Sequence, residues 1–94
     1  MNEMIKQLST RFEPKSLNIG FENRIISSRI VAIVNSNSAP IKRLIRKAKE
    51  NNLLVDGTGG KTTRTSLIMD SGHVVLSSIS PRNLSARIER VNLA

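Results

Sequence analysis

The stretch Asp56-Gly57-Thr58-Gly59-Gly60-Lys61-Thr62-Thr63-Arg64-Thr65 sets the terms for the rest of this chain. It concentrates three of the five glycines, four threonines and two cations. Apolar runs flank it, Leu53-Leu54-Val55 before and Leu67-Ile68-Met69 after, so it reads as a loop between two strands. Bare backbone amides, hydroxyls and positive charge meet there at one exposed point. That is the chemistry of a phosphate contact, with either a nucleotide or the backbone of a nucleic acid.

A chain of 94 residues makes one domain. At that size about 60–65% of the unfolded surface is buried, so the core is small and association with further copies would help it. Fifteen Lys and Arg against seven Asp and Glu leave a net charge of +8. That imbalance implies an anionic partner, nucleic acid or an acidic membrane surface, with a merely solvating basic surface as the alternative. The absence of Cys excludes disulfides, thiolate metal sites and Cys nucleophiles. No window approaches the roughly 20 apolar residues of a membrane span. The first ten residues lack a signal-peptide core, so a cytoplasmic protein is expected.

Residues 1–16 are polar and mixed and read as an arm or loosely packed helix ended by Pro14; residues 17–94 read as the domain. Leu17 to Phe21 alternates as a half-buried strand does, Glu22-Asn23-Arg24 interrupts, and Ile25-Ile26 is a short apolar step. Arg29 then stands at the mouth of Ile30–Val34, β-branched enough to be a central strand. Ser38 caps a helix from about Ala39 to Glu50, with Pro40 in its first turn. Ile41, Leu44, Ile45 and Ala48 form its apolar stripe, and Lys42, Arg43, Arg46, Lys47 and Lys49 its other side. Five like charges repel each other. That cost points to a nearby anion, against the alternative of a solvated basic face. Leu53–Val55, Thr65–Met69 and His73–Ile79 read as strands, the last two joined by a turn at Asp70-Ser71-Gly72. Ser80-Pro81 starts a terminal helix that packs Leu84, Ile88 and Val91 on the sheet and leaves Arg82, Arg87 and Arg90 outside. The fold class is α+β: a small, mostly antiparallel sheet with one central and one C-terminal helix.

Gly60-Lys61-Thr62 copies the end of a Walker A loop. However, Val55 stands where the motif needs Gly, and a β-pattern follows where it needs a helix. The dinucleotide fingerprint fails at Thr62. Catalysis has no footing: His73 is the one His, it has no zinc-ligand spacing around it, and Asp56 and Asp70 suit turn caps better than acid–base work. No cofactor, metal or small-molecule substrate is expected. Nucleic acid fits best, and its kind follows from what is missing. Single-strand and RNA binders stack bases on aromatic platforms, whereas this chain has only Phe12 and Phe21, neither in a basic strand. Duplex DNA held through its backbone is favoured, with an RNA-associated protein or a non-catalytic interaction module as alternatives.

Asn18-Ile19-Gly20-Phe21, Ser38-Ala39-Pro40-Ile41-Lys42-Arg43, Leu54-Val55-Asp56, Thr63-Arg64 and Met69-Asp70-Ser71 followed by His73-Val74-Val75-Leu76-Ser77, then Pro81, resemble the RemA family of bacterial extracellular-matrix (biofilm) gene regulators. The resemblance covers about residues 17–90 without gaps. It implies a transcriptional regulator with a fold similar to a LytTR-type DNA-binding domain, assembled into ring-like homo-oligomers that wrap double-stranded DNA. It places DNA contacts at Arg29 and in the segment after Gly60. Typical members carry Gly-Arg-Arg-Thr-Arg there. In this chain the first Arg is Lys61, the middle one is Thr62 and the last is kept as Arg64. The resemblance thus implies Arg29, Lys61, Thr62 and Arg64 as DNA contacts, to which the helix face adds Lys42, Arg43 and Arg46.

Overall fold

The computed structural model describes residues 15–93. Of the arm expected over 1–16, residues 1–14 lie outside them. Strands β1 (Ser16–Gly20) and β2 (Asn23–Ile26) pair antiparallel as a hairpin, closing at Gly20↔Asn23. The two-residue loop between them is Phe21-Glu22, at φ of 53° and 62°. A loop with both residues at positive φ matches the strand twist but normally takes Asn-Gly. The alternation that placed Phe21 in a strand therefore fails at its last residue, and the apparent interruption at Asn23-Arg24 is instead the start of β2.

A 3₁₀ turn, Ser27–Arg29, leads into β3 (Ile30–Asn35). Helix α1 (Ala39–Glu50) has the bounds expected of it: the Ser38 hydroxyl accepts from the Ile41 amide at 3.3 Å, and Pro40 sits in the first turn, where its missing N–H costs nothing. Strands β4 (Leu54–Asp56), β5 (Thr65–Met69) and β6 (Val74–Ser77) follow, then helix α2 (Pro81–Leu93). Gly72 in the β5–β6 turn has φ of 90°, the left-handed conformation expected there.

The strands form two sheets rather than one. The β1–β2 hairpin stands apart from a four-stranded sheet of order β3-β5-β6-β4. In that sheet β3–β5 and β5–β6 are antiparallel and β4–β6 is parallel. Strand β3 is thus an edge strand and not a central one, and Val31 is 68% exposed. β-Branching favours a strand without fixing how many neighbours it has. Helix α1 carries the chain across one sheet face and delivers β4 to the far edge.

The alternation of β6 divides the core, as expected. Val75 joins Leu17, Ile19, Leu67 and Leu84, so the hairpin and α2 cover one face. Val74 and Leu76 join Ala48 of α1 on the other. Leu84 is fully buried, with Ile88 and Val91 packed beside it. Arg87 is not outside this packing: it is half-buried and donates to the Asn18 carbonyl of β1 at 3.0 Å. Buried Ser77 ties the layers together, donating to the Ile19 carbonyl at 2.8 Å.

Gly57 marks the point where β4 turns into the glycine-rich loop. Its amide donates to the Leu76 carbonyl at 2.9 Å, extending the β4–β6 ladder by one step. A Cβ there would lie 2.8 Å from that carbonyl oxygen and 2.9 Å from Ile19 Cδ1. Ile19 can give way, but the backbone of a buried strand cannot. Gly57→Ala is therefore expected to destabilise the fold by about 1–3 kcal/mol, read as a lower urea midpoint at unchanged slope. An unchanged midpoint would mean that this contact is not structural.

Candidate nucleic-acid interface

The loop after Gly57 is ordered by its own side chains. The Thr58 hydroxyl and amide both donate to Asp56 Oδ1, at 2.6 and 2.9 Å, and the Lys61 amide donates to the Thr58 carbonyl at 3.0 Å. Asp56 caps a turn, as its position suggested. Gly57 and Thr58 are buried, while Gly59, Gly60, Lys61 and Thr62 project as an exposed tip. The loop then rejoins the sheet at Arg64, whose amide donates to the Ser77 carbonyl at 2.9 Å and whose carbonyl accepts from the Ser36 amide at 3.2 Å. The buried Ser36 and Ser66 hydroxyls lie 2.7 Å apart and lock the β3–α1 turn to β5. Backbone bonds on both sides thus fix where the Arg64 side chain leaves the sheet.

That exit point opens on a polar hollow of about 480 Å³, lined by Asn35, Asn37, Lys42, Thr62, Thr63 and Arg64 among others. Three sequence-derived candidates, Lys42, Thr62 and Arg64, converge there from α1 and the β4–β5 loop. Arg43 and Arg46 lie exposed on the same helix but do not line the hollow. Lys61 sits on the exposed loop tip, its Nζ 6.0 Å from the centroid of the Phe21 ring. That ring packs over Gly59, where a Cβ would meet ring atoms at 2.8 Å. Phe21 was discounted in the sequence because it lay in no basic strand. The hairpin brings it to the basic loop, 40 positions away in the chain, and no local pattern signals that approach.

Arg29 stands apart from these groups. It precedes Ile30, which pairs with Met69, whereas Arg64 precedes Thr65, which pairs with Asn35. The two arginines thus flank opposite ends of a strand about 17 Å long. Arg29 Nε donates to both oxygens of Asp70, at 3.0 and 3.2 Å, and the Arg29 carbonyl accepts from the Asp70 amide. Asp70 therefore holds Arg29 rather than capping the turn. Both side chains are about half exposed, so the pair is worth about 0–1 kcal/mol. Among the described residues Nε alone of the guanidinium is engaged, and both terminal nitrogens of the fork face no described partner. His73 Nδ1 lies 2.7 Å from the Ser71 hydroxyl in the adjoining turn. Among the described residues no cluster of three or more His, Asp or Glu side chains is placed to hold a metal, and no helix is long and apolar enough to cross a membrane.

The chain is thus a small α+β protein that presents exposed cations on a hydrogen-bonded backbone frame. Residues 16–88 match the family model of the RemA-like proteins, described as extracellular matrix regulatory protein A-like. The chain belongs to that family. It is 55% identical over 75 residues to a protein of Dictyoglomus turgidum, covering 80% of this chain and 88% of that one. It is 51% identical over 78 residues to a protein of Finegoldia magna, covering 83% and 94%. Both relatives are named, provisionally, as regulatory proteins.

The two Thr58 bonds, that of the hydroxyl foremost, hold the Asp56 carboxyl below the usual carboxylate range, and slight desolvation opposes them. A lowered folded value means that this contribution is fully present above the ordinary aspartate range. It is lost as pH falls through the lowered value. In a pH titration by NMR, the Thr58 amide should move with a midpoint below that of a free aspartate. A midpoint at or above the free value would remove Asp56 as the anchor of the loop.

Proposed function

We propose that this protein is a non-catalytic, cytoplasmic regulator of transcription that acts on extracellular-matrix (biofilm) genes. It grips the backbone of duplex DNA through basic loops repeated around a ring-like homo-oligomer, and its fold serves as a LytTR-like DNA-binding module. The observation that carries this reading is the convergence of Lys42, Thr62 and Arg64 on one polar hollow beside the glycine-rich tip. Two cations and a hydroxyl on a fixed frame are suited to a phosphate, and glycine lets a phosphate chain approach the main chain. The family's description and the relatives' names supply the regulatory role.

Assembly answers a shortage of contacts. One protomer offers the hollow and Lys61 at one end of the sheet and Arg29 at the other, too few for tight binding alone. Repetition multiplies them. The surface has the means to associate: β3 and β4 are both edge strands, Val31 and Val55 are exposed on them, and an apolar groove lined by Ile25, Ile26, Val55 and Met69 runs beside Arg29.

Fluorescence anisotropy with a labelled duplex across a salt series tests the reading. Each phosphate contact contributes about −0.9 to the log–log slope. Lys42→Ala, Arg64→Ala and Arg29→Ala should each flatten the slope and weaken binding while leaving the oligomer intact. Wild-type slopes in all three variants, or no binding at low salt, would overturn it. Tighter binding of RNA than of duplex DNA would replace it with the RNA-associated reading.

A further inference from the structure

Phe21 is the one described residue at which strain, exposure and an aromatic ring coincide. It is 51% exposed at the tip of the hairpin, with φ of 53°. A bulky side chain in that conformation costs on the order of 1–3 kcal/mol, and such costs concentrate at functional positions. The ring is not idle on the surface. Gly59 has no Cβ, which is what lets the loop backbone lie against it, and Lys61 carries its charge to 6.0 Å from the ring centroid. Next to this pair Gly60 faces open space, with nothing within 4 Å of where a Cβ would stand. A flat apolar surface, a cation and bare backbone therefore adjoin one another on the loop tip.

We propose that Phe21 is a stacking residue: its ring rests on a base exposed at a partly unstacked step of the duplex, while Lys61 holds the flanking phosphate. This rests on the DNA reading above and deepens it. A backbone grip alone is indifferent to sequence. A ring that gains only where a base is uncovered favours steps that kink or open readily, such as TA and CA, and favours a mismatch most of all. Glu22 shares the turn, and its carboxylate opposes a phosphate. The hairpin thus contributes the ring, and the charge comes from the loop.

The test measures affinity for two duplexes of equal length, one fully paired and one with a central T·T mismatch, for the full chain and for Phe21→Ala, Phe21→Leu and Phe21→Trp. The wild type should favour the mismatched duplex by about 5-fold or more, the scale of one base–aromatic stack. Phe21→Ala and Phe21→Leu should lose that preference, with the larger loss of affinity on the mismatched duplex. Phe21→Trp should keep it, with indole fluorescence quenched on binding the mismatch. Equal affinity of the wild type for both duplexes overturns the stacking role and leaves the backbone grip standing. So does a preference retained in Phe21→Ala, or equal weakening on both duplexes, which would make the ring a mere support for the loop. No binding of either duplex by the wild type overturns both readings.

Discussion

The close approach at Gly57 is the constraint on which the candidate surface depends. There the main chain of β4 lies against the Leu76 carbonyl on one side and Ile19 on the other. Leu76 belongs to the α1 side of the core and Ile19 to the hairpin side. One glycine therefore joins both packed layers to the start of the loop. Ser77 repeats the connection one residue along, bonding back to the Ile19 carbonyl while its own carbonyl receives the Arg64 amide. The exposed tip is consequently a short excursion between two fixed points, Gly57 and Arg64. In the proposed grip few residues would have to be immobilised, so little of the binding free energy would be lost to ordering.

Three of the candidate cations fall in two places on this frame. Lys42 and Arg64 share the hollow at one end of the sheet, and Arg29 is held at the other by Asp70. Arg43, Arg46, Lys61 and Arg64 are exposed and form no ion pair with any described residue, so solvent ions screen them. With the net charge of +8, that arrangement would draw the proposed polyanion from a distance, most strongly at low salt. The two ends have different characters. Arg29 is a pre-set fork with a partner on one edge, whereas the hollow is a concave site with hydroxyls and amides around its cations.

Much of the local structure was legible in the chain because it rests on short-range chemistry. Ser38, Pro40 and the Ile41–Ala48 stripe gave the bounds of α1, Gly72 gave its turn, and the alternation of β6 assigned Val74, Val75 and Leu76 to opposite faces. The glycine-rich loop was found where it was expected, between two strands. What could not be read was long-range. β-Branching in Ile30–Val34 identified a strand but not its place at an edge. The two-residue turn at Phe21-Glu22 was hidden by residues that seldom occupy it. Family resemblance pointed to Arg29 and the loop together, yet the register of β3 against β5 puts them at opposite ends of that strand pair. The meeting of Lys42 with Arg64, and of Phe21 with Lys61, depends on the crossover of α1 and the seating of the hairpin. Neither leaves a periodic trace.

Hydrogen–deuterium exchange of the full chain with and without a short duplex tests the central claim most directly, because it locates the contact without altering any residue. If the hollow and the loop tip grip the DNA backbone, amides across 35–42 and 58–64 slow on binding, that protection fades as salt is raised, and the segment at 27–30 responds with them. Protection confined to other segments, or an exchange pattern unchanged by saturating duplex at low salt, would contradict it.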